Sequence, residues 1–148
     1  MITCTRKIHF CAGHRVYQHE SKCAHPHGHQ YCAEITATAS DLDHLGRIID
    51  FSVLKDSIGS WIDRNWDHGF LLWQDDPLES IWRSHEAFGG CKWYMMPTNP
   101  TAENIAKHLL HDICPMLLDG FDVTVIKVRI DETPNCYAEA SLENISNQ

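Results

Sequence analysis

The chain has 148 residues, of which 43% are apolar and 22% charged, and its formal net charge is −8. This length and balance predict one compact soluble domain. No run of eighteen apolar residues is present, which excludes a membrane helix, and no basic cluster offsets the acidic charge, which argues against a nucleic-acid partner. With no apolar signal-peptide centre and an odd number of cysteines, seven, the sequence predicts a cytoplasmic protein with reduced thiols.

The first half of the chain predicts two strands and a helix. Residues 3–14 alternate apolar and polar side chains, and residues 27–40 are rich in Thr, Ile and Tyr, so each segment predicts a strand. Residues 51–66 carry apolar side chains at helical spacing, with Asp50 or Ser52 as the residue that caps the helix.

The second half predicts a helix and two strands after an irregular segment. Residues 74–97 contain Pro, Gly-Gly and several aromatic residues, and we interpret them as a long excursion inserted into a single domain of residues 1–148. Residues 99–117 predict a helix capped by Thr101. Residues 121–133 and 136–144 predict two strands joined by a Thr-Pro-Asn turn.

The predicted order is strand, strand, helix, helix, strand, strand. It indicates an α+β domain in which two helices cover one face of a four-stranded antiparallel sheet. Such a sheet has two open edges, which must be covered or paired. We therefore expect the chain to form a homo-oligomer through its edge strands.

The stretch CAHPHGHQY, residues 23–31, contains the first candidate site. His27 and His29 are two apart on a predicted strand, so they share a face with Cα atoms about 6.6 Å apart. His14 ends the preceding strand, and in a hairpin it lies at the same end. Three neutral imidazoles with one open position are typical of a catalytic zinc. The alternative that stays open is a solvated histidine-rich loop, because a bare His-x-His pair is more often without metal.

Six motifs are similar, in order, to those of the 6-pyruvoyl-tetrahydropterin synthase superfamily: FCAGHR, CAHPHGH, GRIIDFSVLK, WDHGFLL, NPTAENIAKHL and RIDETPNCYA. The resemblance covers about residues 6–140. The spacing Cys23-x-x-x-His27-Gly-His29 most resembles the bacterial 6-carboxytetrahydropterin synthases of the 7-deazaguanine (queuosine) pathway. This resemblance implies the tunnelling fold, in which sheet edges of neighbouring subunits close a barrel in a trimer and trimers stack into a hexamer.

The resemblance also implies roles for particular residues. His14, His27 and His29 would bind Zn²⁺. The proton carriers would be Cys23 and the pair Asp67–His68. Glu132 would anchor the pterin ring, and Thr101 and Glu103 would line its pocket or support it. The substrate would be 7,8-dihydroneopterin triphosphate, with 6-carboxy-5,6,7,8-tetrahydropterin, acetaldehyde and triphosphate as products. As cations for the triphosphate, we expect Arg15, Lys22 and Lys127.

These residue types suit that chemistry. A thiol near positive charge has a depressed pKa, histidine titrates near neutral pH, and a carboxylate accepts both parallel N–H groups of a pterin. Taken without the family, Cys23 is a loop thiol, Asp67–His68 a polar pair at a helix exit, and Glu132 a solvated turn residue. Adjacent strand residues rarely bond to each other, so we expect the Asp67–His68 contact to cross a subunit boundary.

Three other functions share parts of this pattern. The first is a 6-pyruvoyl-tetrahydropterin synthase, which expels triphosphate but keeps the carbon chain. The second is a zinc-bearing oligomer that binds a pterin or purine without turnover, which would need neither Cys23 nor Asp67–His68. The third, a zinc hydrolase or deaminase, is disfavoured because neither His-Glu-x-x-His nor Pro-Cys-x-x-Cys occurs.

Overall fold

A long hairpin forms the centre of the sheet. In the computed structural model, which describes residues 1–142, strand β1 spans Cys4–His14 and strand β2 spans His27–Thr38. The two strands are antiparallel and pair without interruption from Cys4 opposite Ala37 to His14 opposite His27. A short 3₁₀ turn, Lys22–Ala24, lies in the connection between them.

The first helical segment begins where the sequence predicts. Helix α1, Phe51–Leu54, continues through a π-helical stretch, Lys55–Gly59, into helix α2, Ser60–Asn65. The Asp50 carboxylate accepts a hydrogen bond from the amide of Ser52 and so satisfies one of the free donors at the helix N-terminus.

Residues 69–96 contain two strands that the sequence analysis missed. Strand β3, Gly69–Trp73, is followed by helix α3, Leu78–Ser84, by a 3₁₀ turn, Glu86–Phe88, and by strand β4, Trp93–Met96. Both strands have only four or five residues, and short apolar runs do not distinguish a strand from a helix.

The aromatic residues of this region pack on one another. The Trp82 ring lies 5.0 Å from that of Phe70 and 5.2 Å from that of Trp93, measured between ring centroids. Residues 74–97 are therefore folded onto strand β3.

The second helical segment and the last two strands complete the chain. Helix α4, Ala102–His108, runs through a π-helical stretch, Leu109–Ile113, into helix α5, Cys114–Leu117. The last two strands are β5, Thr124–Thr133, and β6, Cys136–Ser141. Residues 143–144 of the predicted last strand lie outside the described residues.

Within residues 1–142 the sheet has six strands in the order β4-β3-β1-β2-β5-β6. The prediction of a purely antiparallel, four-stranded sheet is wrong in this detail. Strands β3 and β4 add to the free side of β1 as parallel neighbours, while β1, β2, β5 and β6 form the predicted antiparallel set. The outer edges are consequently β4 and β6.

The helices cover one face of the sheet. Buried strand residues such as Phe10, Tyr31 and Ile130 pack with buried helix residues such as Leu54 and Ile105 in one apolar core. Charged residues occupy the opposite face, where Lys7 and Glu34 form an ion pair. Over the described part of the chain, every helix is too short or too polar to span a membrane.

Candidate active site

Three histidines converge where the central hairpin ends. His14 is the last residue of β1 and lies directly opposite His27, the first residue of β2, while His29 follows on the same face. The ring centroids lie 4.6 Å (His14 to His27), 5.1 Å (His14 to His29) and 4.8 Å (His27 to His29) apart. The strand alternation that predicted a shared face is therefore present, and the hairpin adds the third imidazole.

Backbone carbonyls fix the orientation of two of these rings. Nδ1 of His14 donates to the carbonyl of Pro100 at 2.7 Å, and Nδ1 of His27 donates to the carbonyl of His25, also at 2.7 Å. Each neutral ring then presents a lone pair at Nε2. The two Nε2 atoms are only 3.1 Å apart, and two lone pairs at this distance repel each other unless a cation lies between or beside them.

Burial keeps His14 neutral. Its side chain is almost fully buried, and desolvation lowers its pKa to about 4, although the Pro100 carbonyl opposes this shift. Desolvation also lowers the pKa of His29, against the opposing charge of Glu132. Neutral imidazoles are the form that binds a metal ion.

Glu132 approaches the histidines from strand β5. This strand pairs with β2, and its register with β6 is irregular between Asp131 and Thr133. Oε1 of Glu132 lies 3.1 Å from Nε2 of His29, although that nitrogen makes no hydrogen bond of acceptable geometry within the described residues.

The donor set fits a metal ion. One ligand atom each from His14, His27, His29 and Glu132 lies within 4.8 Å of the other three. Two nitrogens bound tetrahedrally at about 2.1 Å would be about 3.4 Å apart, close to the separation of the His14 and His27 nitrogens. Three imidazoles and an adjacent carboxylate suit Zn²⁺ better than Mg²⁺ or Ca²⁺, which prefer ligand sets made entirely of oxygen atoms.

Tyr31 lies next to this group on strand β2. Its side chain is fully buried, and within residues 1–142 its hydroxyl has no hydrogen-bond partner. The ring packs edge-on against His14 and His29, with centroids 5.9 and 5.4 Å away. Burial, followed by the nearby charge of Glu132, raises the pKa of Tyr31.

Cys23 lies in the 3₁₀ turn that precedes the histidine pair and is half-buried. Its carbonyl accepts a hydrogen bond of 2.8 Å from the amide of Val16, which ties the turn to the chain that leaves β1. Its thiol is not one of the four mutually close donors described above. A catalytic role for Cys23 remains a prediction.

Asp67 and His68 bond to each other within one chain. Nδ1 of His68 lies 2.7 Å from Oδ2 of Asp67, so the expectation that this contact crosses a subunit boundary is wrong. The reason is that the pair lies in the turn before β3, where His68 has a left-handed backbone (φ 55°), and not on a strand.

This pair is anchored beside Cys11 of strand β1. The amide of Cys11 donates to Asp67 at 2.8 Å, and the amide of His68 donates to the Cys11 carbonyl at 2.7 Å. Burial raises the pKa of Asp67, but the Cys11 and His68 hydrogen bonds outweigh it and hold this pKa below its usual value. Cys11 precedes His14 by three residues, which corresponds to about 10 Å along a strand.

Thr101 and Glu103 lie at the start of helix α4. The Thr101 hydroxyl accepts a hydrogen bond from the amide of Asn104, as predicted for a capping residue. Glu103 is exposed in the first turn. Because Pro100 holds His14, this helix start is connected directly to the histidine group.

The three predicted phosphate-binding cations have different surroundings. Arg15 makes a two-pronged ion pair with the buried Asp76, so its guanidinium is already engaged. Lys127 pairs with Glu139 at 3.1 Å. Lys22 is exposed in the turn before the histidine pair.

Sequence reasoning missed the carbonyls of His25 and Pro100 and the proximity of Glu132 to His29. Backbone acceptors have no residue-type signature. The proximity of Glu132 depends on which strand pairs with β2, which the sequence does not state.

Comparison with known proteins agrees with this fold. Residues 3–143 match the family described as 6-pyruvoyl tetrahydropterin synthase. The 6-carboxy-5,6,7,8-tetrahydropterin synthase of Rickettsia felis is 47% identical over 139 residues, which cover 94% of this chain and 99% of that protein.

Two solved structures have the same fold. An uncharacterized protein from Wolinella succinogenes has a TM-score of 0.81 at 26% identity, with 96% of this chain and 98% of that one covered. The Caenorhabditis elegans 6-pyruvoyl tetrahydropterin synthase has a TM-score of 0.66 at 21% identity, with 96% of each chain covered. The predicted α+β tunnelling fold is thus confirmed, and the match over nearly the whole length shows that this chain belongs to the 6-pyruvoyl tetrahydropterin synthase family.

Proposed function

We propose that this chain is a zinc-dependent lyase that converts 7,8-dihydroneopterin triphosphate to 6-carboxy-5,6,7,8-tetrahydropterin, acetaldehyde and triphosphate, in 7-deazaguanine biosynthesis. The observation that carries the proposal is the pair of Nε2 atoms of His14 and His27, which face each other at 3.1 Å with both Nδ1 atoms already bonded. The 47% identity to a relative named for this product supports the choice of reaction.

His14, His27 and His29 would hold the zinc ion. When bound there, zinc supplies a Lewis acid that acidifies the side-chain hydroxyls of the substrate and polarises a neighbouring carbonyl. The chain contributes imidazoles whose orientation is fixed by the Pro100 and His25 carbonyls, so little reorganisation is needed when the ion enters.

The pterin ring would be held by carboxylates near the histidines. Glu132 accepts the two parallel N–H groups of the pterin edge, a charge-assisted pair with strong directionality. Because Glu132 lies 3.1 Å from His29, a pterin ring bound to it would lie near the histidine group, with its side chain directed toward the ion that they would hold. Thr101 and Glu103, at the start of helix α4, would line this pocket or support it.

Cys23 and the pair Asp67–His68 would move protons to and from the substrate. Asp67 accepts from Nδ1 of His68 and fixes its tautomer, so that Nε2 is free to exchange a proton. Within one chain this pair is bonded to Cys11, about 10 Å along β1 from His14. We therefore propose that the pair acts at the histidine group of a neighbouring subunit.

An oligomer supplies that neighbour. The edge strands β4 and β6 of the described sheet present unpaired backbone groups, which pairing between subunits would satisfy. We propose a trimer or hexamer of single-domain subunits, each with residues 74–97 as an insertion, in the cytoplasm and without a nucleic-acid or membrane partner. The size of the oligomer is measurable by light scattering.

The alternative products come from the same site. A 6-pyruvoyl-tetrahydropterin synthase would eliminate triphosphate and keep the carbon chain, whereas a non-catalytic binder would release the substrate unchanged. The family match supports both pterin reactions, and the relative from R. felis favours the carboxy product.

The deciding experiment is product analysis by mass spectrometry after zinc-loaded protein is incubated with 7,8-dihydroneopterin triphosphate. We expect 6-carboxytetrahydropterin and acetaldehyde in equal amounts, and neither from the His27→Ala variant. A 6-pyruvoyl product would move the enzyme to the other branch. Unchanged substrate with measurable binding would replace the enzyme with a binding module.

A further inference from the structure

The chain that leaves strand β1 is tied to the chain that enters helix α4 by one side chain. The carboxamide oxygen of Asn99 accepts a hydrogen bond from the amide of Tyr17 at 2.9 Å, and its nitrogen donates to the carbonyl of Tyr17 at 3.0 Å. Asn99 therefore pairs with the backbone of Tyr17 as a neighbouring strand residue would, although 82 positions separate the two residues.

The backbone of Asn99 is held equally firmly. Its carbonyl accepts hydrogen bonds of 2.9 Å from the side chain of Asn104 and from the amide of Thr101. Thr101 in turn caps the helix by accepting from the Asn104 amide. Asn99 is thus hydrogen-bonded to both the capping residue and the first turn of helix α4.

These contacts close a ring that contains a predicted metal ligand. From His14 the chain runs to Tyr17, crosses to Asn99 through two hydrogen bonds, and continues to Pro100. The carbonyl of Pro100 then returns to Nδ1 of His14 at 2.7 Å.

We propose that Asn99 is a positioning residue for the candidate metal centre, because it holds the Pro100 carbonyl within hydrogen-bond distance of His14 Nδ1. This inference rests on the proposed zinc site. Asn99 also connects this support to the helix start that carries Thr101 and Glu103, because its side chain bonds to Tyr17 while its backbone carbonyl accepts from Thr101 and Asn104.

Loss of this support has a measurable consequence. Asn99→Ala removes both bonds to Tyr17 and frees the Pro100 carbonyl to move away from His14. Changes to groups that orient metal ligands typically weaken metal affinity by about 10- to 100-fold. Asn99→Asp keeps an acceptor for the Tyr17 amide but places a second oxygen against the Tyr17 carbonyl, so we expect it to weaken affinity as well.

A matched control separates positioning from general destabilisation. Leu118 is 4% exposed and lies just after helix α5, before the start of β5, at the end of the sheet opposite His14. Leu118→Ala opens a cavity in the core without contact to the ring of hydrogen bonds.

The test is the dissociation constant for zinc, measured by competition with a chelator on purified full-length protein, together with the visible spectrum of the Co²⁺-loaded form. We expect Asn99→Ala to bind zinc at least about 10-fold more weakly and to show an altered Co²⁺ spectrum. Leu118→Ala should keep the parent affinity and spectrum despite a lower melting temperature. If Asn99→Ala is too unstable to purify, Asn99→Asp provides the same comparison.

Two results would overturn the inference. One is a zinc affinity within about twofold of the parent in both Asn99 variants; the other is an equal loss in Leu118→Ala, which would assign the effect to stability. Neither outcome touches the proposed function, which fails instead if the parent protein binds no zinc or produces no pterin product.

Discussion

Oε1 of Glu132 lies 3.1 Å from Nε2 of His29, and the two residues come from neighbouring strands, β5 and β2. This proximity allows two assignments for Glu132, as the carboxylate that binds the pterin or as a fourth metal ligand. In the first, His29 would bind the zinc ion and the Glu132 carboxylate would accept from the substrate. In the second, the carboxylate would itself be a ligand of the ion.

Glu132→Gln separates these assignments. The amide keeps the shape but offers one acceptor in place of two, so we expect the KM for the pterin to rise by about 10- to 100-fold, in line with the loss of a charged hydrogen bond. Zinc content, measured by atomic emission, should remain at the parent level because three imidazoles remain. Loss of zinc in this variant would identify Glu132 as a ligand.

His27→Ala should lose zinc and activity together, because it removes one of the two nitrogens that face each other at 3.1 Å. The matched control is His25→Ala, since the contact of His25 with the histidine group, within residues 1–142, is made by its backbone carbonyl. We expect the control to retain zinc and turnover. Unchanged zinc content in His27→Ala would refute the ligand assignment.

Cys23→Ala should keep the zinc and lose turnover by at least about 100-fold, the usual contribution of a general acid or base. Cys91→Ala is the control, because Cys91 is an exposed thiol distant in sequence from the histidines. Steady-state rates and zinc content of both variants provide the comparison. Full activity in Cys23→Ala would exclude the thiol from the mechanism.

Asp76→Ala should lower the free energy of unfolding by about 3 kcal/mol, because it leaves the largely buried Arg15 guanidinium without its partner. The neighbouring Asp75 is exposed, and Asp75→Ala should change stability by less than about 0.5 kcal/mol. Urea unfolding measures both. Equal stability of the two variants would show that the ion pair does not anchor residues 74–97 to strand β1.

Tyr31→Phe should leave the melting temperature unchanged or raise it. Its hydroxyl is buried with no partner in the described residues, so its removal eliminates a desolvation cost without breaking a bond. Tyr94→Phe should instead cost about 1 kcal/mol, because the Tyr94 hydroxyl bonds to His108 at 2.7 Å. A clear loss of stability in Tyr31→Phe would reveal a partner for that hydroxyl in the assembled protein.

Sequence patterns predicted the elements that carry strong periodicity. The central hairpin, both long helical segments and the Asp50 and Thr101 caps follow from alternation, helical spacing and capping chemistry, all of which are local. Strands β3 and β4 were not predicted, because each is short and pairs in parallel with a strand that is distant in sequence.

The histidine cluster could be predicted from the sequence, but the groups that hold its rings in place could not. Strand alternation places His27 and His29 on one face, and a hairpin brings His14 to them. By contrast, the Pro100 carbonyl and the side-chain carboxamide of Asn99 bond to residues that are 82 or more positions away in sequence. Only tertiary structure shows such contacts, because no local residue pattern points to them.

The uninterrupted register of β1 and β2 limits which insertions and deletions the gene can tolerate. Pairing runs from Cys4 opposite Ala37 to His14 opposite His27, and side chains alternate faces along each strand. If one residue were lost or gained between His27 and Tyr31, the two side chains would no longer lie on the same face. With Tyr31 kept in the core, the His27 imidazole would lie on the opposite face of the sheet. Point substitutions on the exposed face leave that phase intact, so strand length, as much as residue identity, encodes this site.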